Sequence, residues 1–163
     1  MTSRKTAPVY FECPDVYNGI CASIFLAGGI TGCPDWQASM KNYIATECPG
    51  LNVLNPRRAS FDVKDQSAHK EQITWEFNAL NQATAILFWF PCETVCPITL
   101  YELGVWAVKH NTKGAKIMVG CHRDYVRRTD VKTQLSLEIS SDFVVHDSLE
   151  DLFGEVRTWW NEL

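Results

Sequence analysis

The sequence lacks both a basic region and a long hydrophobic run. Its 15 Lys and Arg residues are outnumbered by 19 Asp and Glu residues, for a net charge of −4, so no positive field favours a long nucleic acid or an anionic membrane. The longest apolar stretch, Ala83 to Pro91, is far too short to span a bilayer, and Met1 to Asp15 show no signal-peptide pattern. We therefore expect a cytoplasmic protein that binds neither polymeric nucleic acid nor membranes.

Cysteine is present, but without the spacing of a disulfide framework or a metal site. The seven cysteines are an odd number scattered along 163 residues, which is typical of reduced thiols. Cys92 and Cys96 form a C-x3-C spacing, and no second pair completes a tetrahedral zinc site with Cys121 and His122. No C-x-x-C is present, which disfavours a thiol or redox enzyme. We predict no disulfide and no metal.

Several nucleotide-binding and hydrolase motifs are also missing. The Gly28-Gly29 turn lacks the third glycine of a dinucleotide fingerprint and the Gly-Lys-Ser/Thr ending of a P-loop. No G-x-S-x-G elbow is present, which argues against a Ser-His-Asp hydrolase. We therefore predict no NAD, no P-loop nucleotide and no other cofactor.

Short β-branched or aromatic runs alternate with longer helical patterns, which is typical of a parallel sheet covered by helices on both faces. The predicted strands are 23–27, 51–54, 85–90, 116–120 and 142–146, and the predicted helices are 35–47, 65–82, 97–111, 148–162 and, more weakly, 130–137. The continuous apolar run AILFWF predicts that strand 85–90 is central and buried on both faces. The sequence thus predicts one α/β domain over 1–163, a three-layer sandwich with a five-stranded sheet, in which 1–20 form an irregular segment.

Two acidic side chains lie among apolar neighbours on predicted helices. Glu102 shares a helix face with Ile98, Val105 and Trp106, and Glu76 shows the same pattern one helix earlier. A carboxylate buried without a partner is costly or acquires a raised pKa, so such an acid usually serves function or a hydrogen-bond network. Together the two acids could supply the nucleophile and the acid/base of glycosidic chemistry, whose oxocarbenium-like transition state needs a nearby negative charge. The residues alone leave a structural role for each acid equally open.

The loops that follow the predicted strands supply the other candidate residues. Ligands of open parallel sheets bind at the carboxyl edge, where the sequence places Gly28-Gly29, then Arg57-Arg58, then Glu93. The glycines let the backbone approach a sugar or phosphate, and the arginines are suited to grip a phosphate. Trp36, beside the glycines, is placed to stack on a base. A structural turn, a solvated arginine pair and a core tryptophan are the alternatives.

Four segments occur in the order FLAGGIT, NPRR, QITWEFNALNQATAILFWFP and PITLYELG. Together they resemble the nucleoside 2-deoxyribosyltransferase family, over a stretch from about Ile24 to Gly120. The resemblance implies a flavodoxin-like, Rossmann-like fold with a five-stranded parallel sheet. It also implies that Glu102, in the E-L-G motif, is the catalytic glutamate and that Glu76 is the acidic residue one helix earlier.

The same resemblance implies a mechanism and an assembly. Glu102 would attack C1′ of the deoxyribose and expel the base, and a second base or water would resolve the glycosyl ester. Glu76 would help to protonate the departing base, while Gly28-Gly29 would hold the sugar or its 5′ group. The region after the fourth strand, with Arg127 and Arg128, would complete the site of a neighbouring subunit, which implies a homodimer or larger homo-oligomer.

Two positions depart from the family pattern. Cys96 stands where the family has an aspartate, and Phe25 stands where a tyrosine contacts the nucleophile. With a phenylalanine at this position the chain resembles the nucleotide hydrolase relatives of the family, which favour water as acceptor and a 5′-monophosphate as substrate. Base transfer and hydrolysis therefore both stay open, and a catalytically silent nucleotide-binding or sensing module is the alternative from a different class.

Overall fold

A computed structural model describes residues 9–62 and 64–163 and contains a six-stranded sheet. The strands are β1 (Tyr10–Glu12), β2 (Ser23–Gly28), β3 (Asn52–Asn55), β4 (Ala85–Phe90), β5 (Lys116–Cys121) and β6 (Val145–His146). The helices are α1 (Trp36–Glu47), α2 (Gln66–Gln82), α3 (Pro97–Lys113), α4 (Arg128–Glu138) and α5 (Leu149–Glu162). All neighbouring strands are parallel, in the order β1-β3-β2-β4-β5-β6. The predicted α/β class is confirmed.

The sheet has six strands rather than the predicted five, and the added strand lies in the segment predicted to be irregular. Tyr10–Glu12 pairs in parallel with β3 at the edge of the sheet. Three residues are too few to show an alternating pattern, so neighbouring backbone rather than local sequence decides this strand. Residues 1–8 of the same segment lie outside the described residues. The last strand is also shorter than predicted, because only Val145–His146 pair with β5.

The core lies on both faces of the sheet, as the pattern of β4 predicts. All six residues of β4 are buried, and β4 pairs with β2 on one side and β5 on the other. One apolar cluster packs α2, α3 and α4 against the sheet, and a second packs α1 and α5 against the opposite face. This arrangement is the predicted three-layer sandwich. No helix within the described residues is long and apolar enough to cross a membrane.

Local sequence signals mark three of the helix ends. Asp35 caps α1 by accepting the Ala38 N–H at 3.1 Å, and Ser148 caps α5 in the same way. Gly114, with φ of +67°, ends α3 in the left-handed conformation that glycine tolerates. The Asp35 cap marks the end of the loop after β2. The loops after β2, β3 and β4 lie together at the carboxyl edge because the strands are parallel.

Candidate active site

A cavity of about 750 Å³ opens at this edge, between α2 and α3. Its floor is formed by the end of β2, including Phe25 and Gly28, and by the loop that follows. Pro56 after β3 and Thr94 after β4 extend the wall. A concave, mostly apolar site with a few polar groups is typical of a small-molecule pocket, and this one has room for a nucleoside-sized ligand.

Glu102 lies on the second turn of α3 and lines the cavity. Burial, and to a smaller extent the negative charge of Glu76, raise the pKa of this carboxyl to about 8. No hydrogen bond reaches the Glu102 side chain from the part of the chain that the structure describes. The carboxyl is therefore protonated at neutral pH in the free protein and is not tied into the loop network that a structural role requires.

Glu76 lines the same cavity from α2. Burial raises the pKa of Glu76, and a hydrogen bond from Gln72 Nε2 to Glu76 Oε1, 2.8 Å long, acts in the opposite direction. The charge of Glu76 in turn raises the pKa of Glu102. The two acids that the sequence places on separate helices thus converge on one cavity and interact, so they titrate as a pair.

The glycine loop is built around close backbone packing. Gly28 and Gly29 both line the cavity. A Cβ on Gly29 would lie 2.7 Å from Cys33 Sγ and 3.0 Å from Cys96 Sγ, so only glycine fits without movement of the neighbours. The Gly29 carbonyl accepts hydrogen bonds from Trp36 Nε1 at 3.0 Å and Gln37 Nε2 at 3.3 Å. These two hydrogen bonds hold the loop on the side of α1, while Gly28 and Gly29 also line the cavity.

Comparison with known proteins identifies the family of this chain. The family model described as nucleoside 2-deoxyribosyltransferase like matches residues 21–125, which include both acids and the glycine loop. The chain belongs to this family. No curated protein matches the sequence.

Two residues that depart from the family pattern also line the cavity. Phe25 is buried at the end of the cavity floor, and its ring centroid lies 6.3 Å from that of Trp75. Cys96 immediately precedes α3 with φ of +51°, and its Sγ lies 3.2 Å from Thr94 Oγ1. Burial raises the pKa of the Cys96 thiol. A nucleoside 2-deoxyribosyltransferase-like site in this chain thus has an aromatic ring and a neutral thiol at these two positions.

The predicted phosphate-binding arginines are engaged away from the cavity. Arg57 donates to the carbonyl oxygens of Pro34 at 2.9 Å and Cys33 at 3.1 Å, and thereby braces the loop that carries the glycines. Arg58 pairs with Glu71, with 3.5 Å between Nη1 and Oε2. Neither arginine lines the cavity. Their role in substrate binding stays a prediction that this geometry does not support.

Three further predicted residues also lie outside the cavity lining. Trp36 is 4% exposed and packs in the core beneath the glycine loop, so its ring is not available for stacking on a base. Glu93 is exposed on the loop after β4. Arg128 begins α4 and forms an ion pair with Asp147. The role of Arg128 in substrate binding stays a prediction.

Sequence reasoning missed several cavity residues. Gln72 lies four residues before Glu76, a spacing that places both on one helix face, and this signal was available. Lys109 and Asn81 also line the cavity and bond to each other, with 3.1 Å between Nζ and Oδ1. That contact joins α2 to α3 and depends on tertiary packing. No group of three or more His, Cys, Asp or Glu side chains among the described residues could hold a metal ion.

Proposed function

We propose that this protein breaks the N-glycosidic bond of a deoxynucleoside, with Glu102 as nucleophile and Glu76 as acid/base. The observation that carries the proposal is the pair of interacting carboxyl groups in one nucleoside-sized cavity. Membership of the nucleoside 2-deoxyribosyltransferase-like family supports the choice of a nucleoside. The apolar walls favour a flat base, and the two acids supply the negative charge that an oxocarbenium-like transition state requires.

At neutral pH the pair holds a single proton, which lies mainly on Glu102 in the free protein, and the reactive form is the one in which this proton has passed to Glu76. The Glu102 carboxylate attacks C1′ while the C1′–N bond breaks, and the electrons of that bond pass to the base, which takes the proton of Glu76. The result is a glycosyl ester on Glu102 and an ionised Glu76. A second base or water then attacks C1′, gives its proton to Glu76 and frees Glu102, with net retention at C1′.

The charges around the cavity favour a nucleoside over its 5′-monophosphate. No arginine lines the cavity in the part of the chain that the structure describes. Lys109, a cationic lining residue, donates to Asn81 and lies 4.0 Å above the Trp106 ring. The negative charge that the Glu76–Glu102 pair carries at neutral pH would repel a phosphate dianion placed beside it. We therefore infer that an uncharged 5′ group is preferred.

A product assay tests the proposed function. The protein is incubated with a panel of deoxynucleosides and their 5′-monophosphates, with and without a second free base, and the products are separated. A new nucleoside identifies base transfer, and free deoxyribose identifies hydrolysis. Recovery of intact ligand from a tight complex, with no free base after long incubation, would instead favour a nucleotide-binding module.

The pH dependence of base release is expected to be bell-shaped. The reactive state needs an ionised Glu102 and a protonated Glu76, so the pair must hold one proton. Because the pKa of Glu102 is about 8, the second proton leaves near that pH and kcat/KM falls above it. At lower pH, the rising limb of the profile gives the pKa at which the pair loses the first of its two protons.

The Glu76→Gln variant supplies the control for this profile. With no acid left to deprotonate, its kcat/KM is lower, and the fall above pH 8 disappears. The variant also lacks the Glu76 charge that raises the pKa of Glu102, so its single rising limb has a midpoint below pH 8. An unchanged alkaline limb in this variant would contradict the assignment of the two acids.

A second copy of the chain is the proposed cover for the mouth of the cavity. Large apolar side chains are exposed around it on α2 and α3, namely Ile73, Phe77, Ile98, Tyr101, Val105 and Val108. An apolar surface of this kind marks an interaction site, and it is continuous with the cavity lining. The family resemblance implies a homo-oligomer, which supports a second copy as the occupant.

Val108→Glu is expected to weaken this assembly. Val108 is 48% exposed and lies outside the cavity lining, and a two-fold interface would receive the new charge twice. Analytical ultracentrifugation should show a shift toward monomer, with about tenfold weaker association. Val144→Glu changes an exposed valine elsewhere on the surface and should leave the association unchanged. A monomeric wild-type protein at micromolar concentration would overturn the proposal.

A further inference from the structure

Gln72 lines the cavity one helical turn before Glu76. Its Nε2 donates to the Pro56 carbonyl oxygen and to Glu76 Oε1, each at 2.8 Å. Pro56 directly follows β3, so the Gln72 amide links α2 to the carboxyl edge of the sheet. Because a carbonyl oxygen can only accept, the contact with Pro56 requires the nitrogen of the amide on this side.

The backbone therefore fixes which atom of Gln72 meets Glu76. The opposite amide orientation would place Gln72 Oε1 against the Pro56 oxygen, and two acceptors repel each other. In the observed orientation Gln72 Oε1 is buried and has no hydrogen-bond partner within the described residues. An unpaired buried acceptor is costly, so the two donated bonds outweigh that cost. Glu76 Oε1 receives an N–H whatever the protonation state of the carboxyl.

We propose that Gln72 is a positioning residue that keeps the proton of Glu76 on Oε2, the oxygen that its own contact leaves free. The inference rests on the proposed function, in which Glu76 gives this proton to the departing base. A carbonyl oxygen accepts a hydrogen bond better than a hydroxyl oxygen does, so the N–H on Glu76 Oε1 favours the carboxyl proton on Oε2. Proton loss and return then take place at one atom, with no rotation of the carboxyl group between the two half-reactions.

The same hydrogen bond also biases the protonation of the pair. It favours the ionised form of Glu76 and so lowers the pKa that burial raises. Other titratable groups stand around Glu76: Glu102 and Lys109 on α3, His69 on α2, Cys96 before α3, and Cys13 of the N-terminal segment, whose pKa the charge of Glu76 helps to raise. The hydrogen bond that Glu76 accepts comes from the uncharged Gln72. Gln72 is therefore the residue to change.

Gln72→Met tests the proposal, because it keeps an unbranched side chain and removes both N–H donors. In the free protein, the carboxyl carbons of Glu76 and Glu102 are followed by NMR as a function of pH with labelled glutamate. We expect the midpoint of Glu76 to rise and that of Glu102 to fall, since a more protonated Glu76 repels Glu102 less. With a deoxynucleoside, kcat should fall about tenfold with little change in KM, and the acid limb of the profile should move to higher pH.

Controls separate this role from a loss of stability. Gln82→Met changes an exposed glutamine at the end of α2 and should leave the pH profile unchanged. Gln72→Glu keeps the shape of the side chain but not its donors, so it should also raise the Glu76 midpoint. Adding Gln72→Met to Glu76→Gln should lower kcat no further.

The titration tests the role of Gln72, and the assay of base release tests the proposed function. Midpoints of Glu76 and Glu102 that stay at their wild-type values in Gln72→Met and Gln72→Glu would overturn the role of Gln72. If the titration behaves as expected but wild-type protein releases no base from any nucleoside, the proposed function is wrong and the hydrogen-bond assignment stands.

Discussion

Glu102→Gln is expected to reduce base release from deoxynucleosides by about 1,000-fold or more. Glutamine has nearly the same size and shape, so the cavity persists, but its amide oxygen is a poor nucleophile toward C1′. The initial rate of free-base formation is the direct measurement. Glu138→Gln changes an exposed glutamate on α4, outside the cavity, and should retain full activity.

A trapped intermediate gives an independent test of Glu102. Wild-type protein mixed with substrate and quenched in acid should carry a deoxyribosyl group on the peptide that contains Glu102, and Glu102→Gln should carry none. A glutamine variant that releases base at the wild-type rate would show that another residue is the nucleophile.

The same substitution is expected to stabilise the fold at alkaline pH. Burial and the charge of Glu76 raise the pKa of Glu102 from 4.5 to about 8. The unfolded chain releases this proton at a lower pH than the folded protein does. The free energy of unfolding therefore falls as pH rises from about 4.5 to about 8 and falls no further above that range. Glutamine stays neutral, so Glu102→Gln should unfold about 10 °C higher than wild type at pH 9 and at nearly the same temperature at pH 5.

This opposite effect on activity and stability distinguishes a functional acid from a structural one. A structural carboxylate that is held by hydrogen bonds stabilises the fold when it ionises, and its loss costs stability. Glu102 has no such bond within the described residues, and its ionisation is unfavourable. Thermal unfolding of the two proteins across pH 5 to 9 therefore tests the same assignment without any substrate.

The placement of Glu102 and Glu76 on apolar helix faces was predictable from sequence, but their convergence on one cavity was not. Helical spacing places Glu102 and Glu76 on apolar faces, and the order of motifs supports both. Spacing cannot distinguish a face that meets the core from one that lines a cavity, because both are apolar. Ile98 and Ile73, which share those faces, are 65% and 67% exposed around the cavity mouth rather than buried.

The predicted roles of Arg57 and Trp36 show the limit of position along the chain. Both lie where the carboxyl-edge rule places ligands, and the structure does bring them to that edge. Their polar groups, however, donate hydrogen bonds to the backbone of the glycine loop. Arg57 donates to the Cys33 and Pro34 carbonyl oxygens, and Trp36 donates to the Gly29 carbonyl oxygen. Which partner satisfies a donor is decided by tertiary distances that the sequence does not encode locally.

The glycine loop itself leads to the second large effect, which is that Gly28→Ala should destabilise the protein. Gly28 ends β2 and pairs with Trp89 in β4. A Cβ at this position would lie 2.4 Å from the Trp89 carbonyl oxygen and 2.5 Å from Trp36 Cζ2. The first contact is with the backbone of the central strand and the second with a buried ring, so neither atom moves aside easily.

Lack of space, rather than an unusual φ, therefore requires glycine at position 28. Overpacking of this kind costs about 1–3 kcal/mol, and the melting temperature of a chain this long should fall by about 3–10 °C. Gly154→Ala on α5 is the matched control, because its Cβ would meet nothing within 4 Å and alanine favours a helix; its melting temperature should rise slightly. Because Gly28 also forms the cavity floor, Gly28→Ala should raise KM for nucleosides even at temperatures where the protein stays folded. A Gly28→Ala protein as stable and as active as wild type would contradict this prediction. It would mean that the sheet and the loop shift to accommodate the added methyl group at little energetic cost.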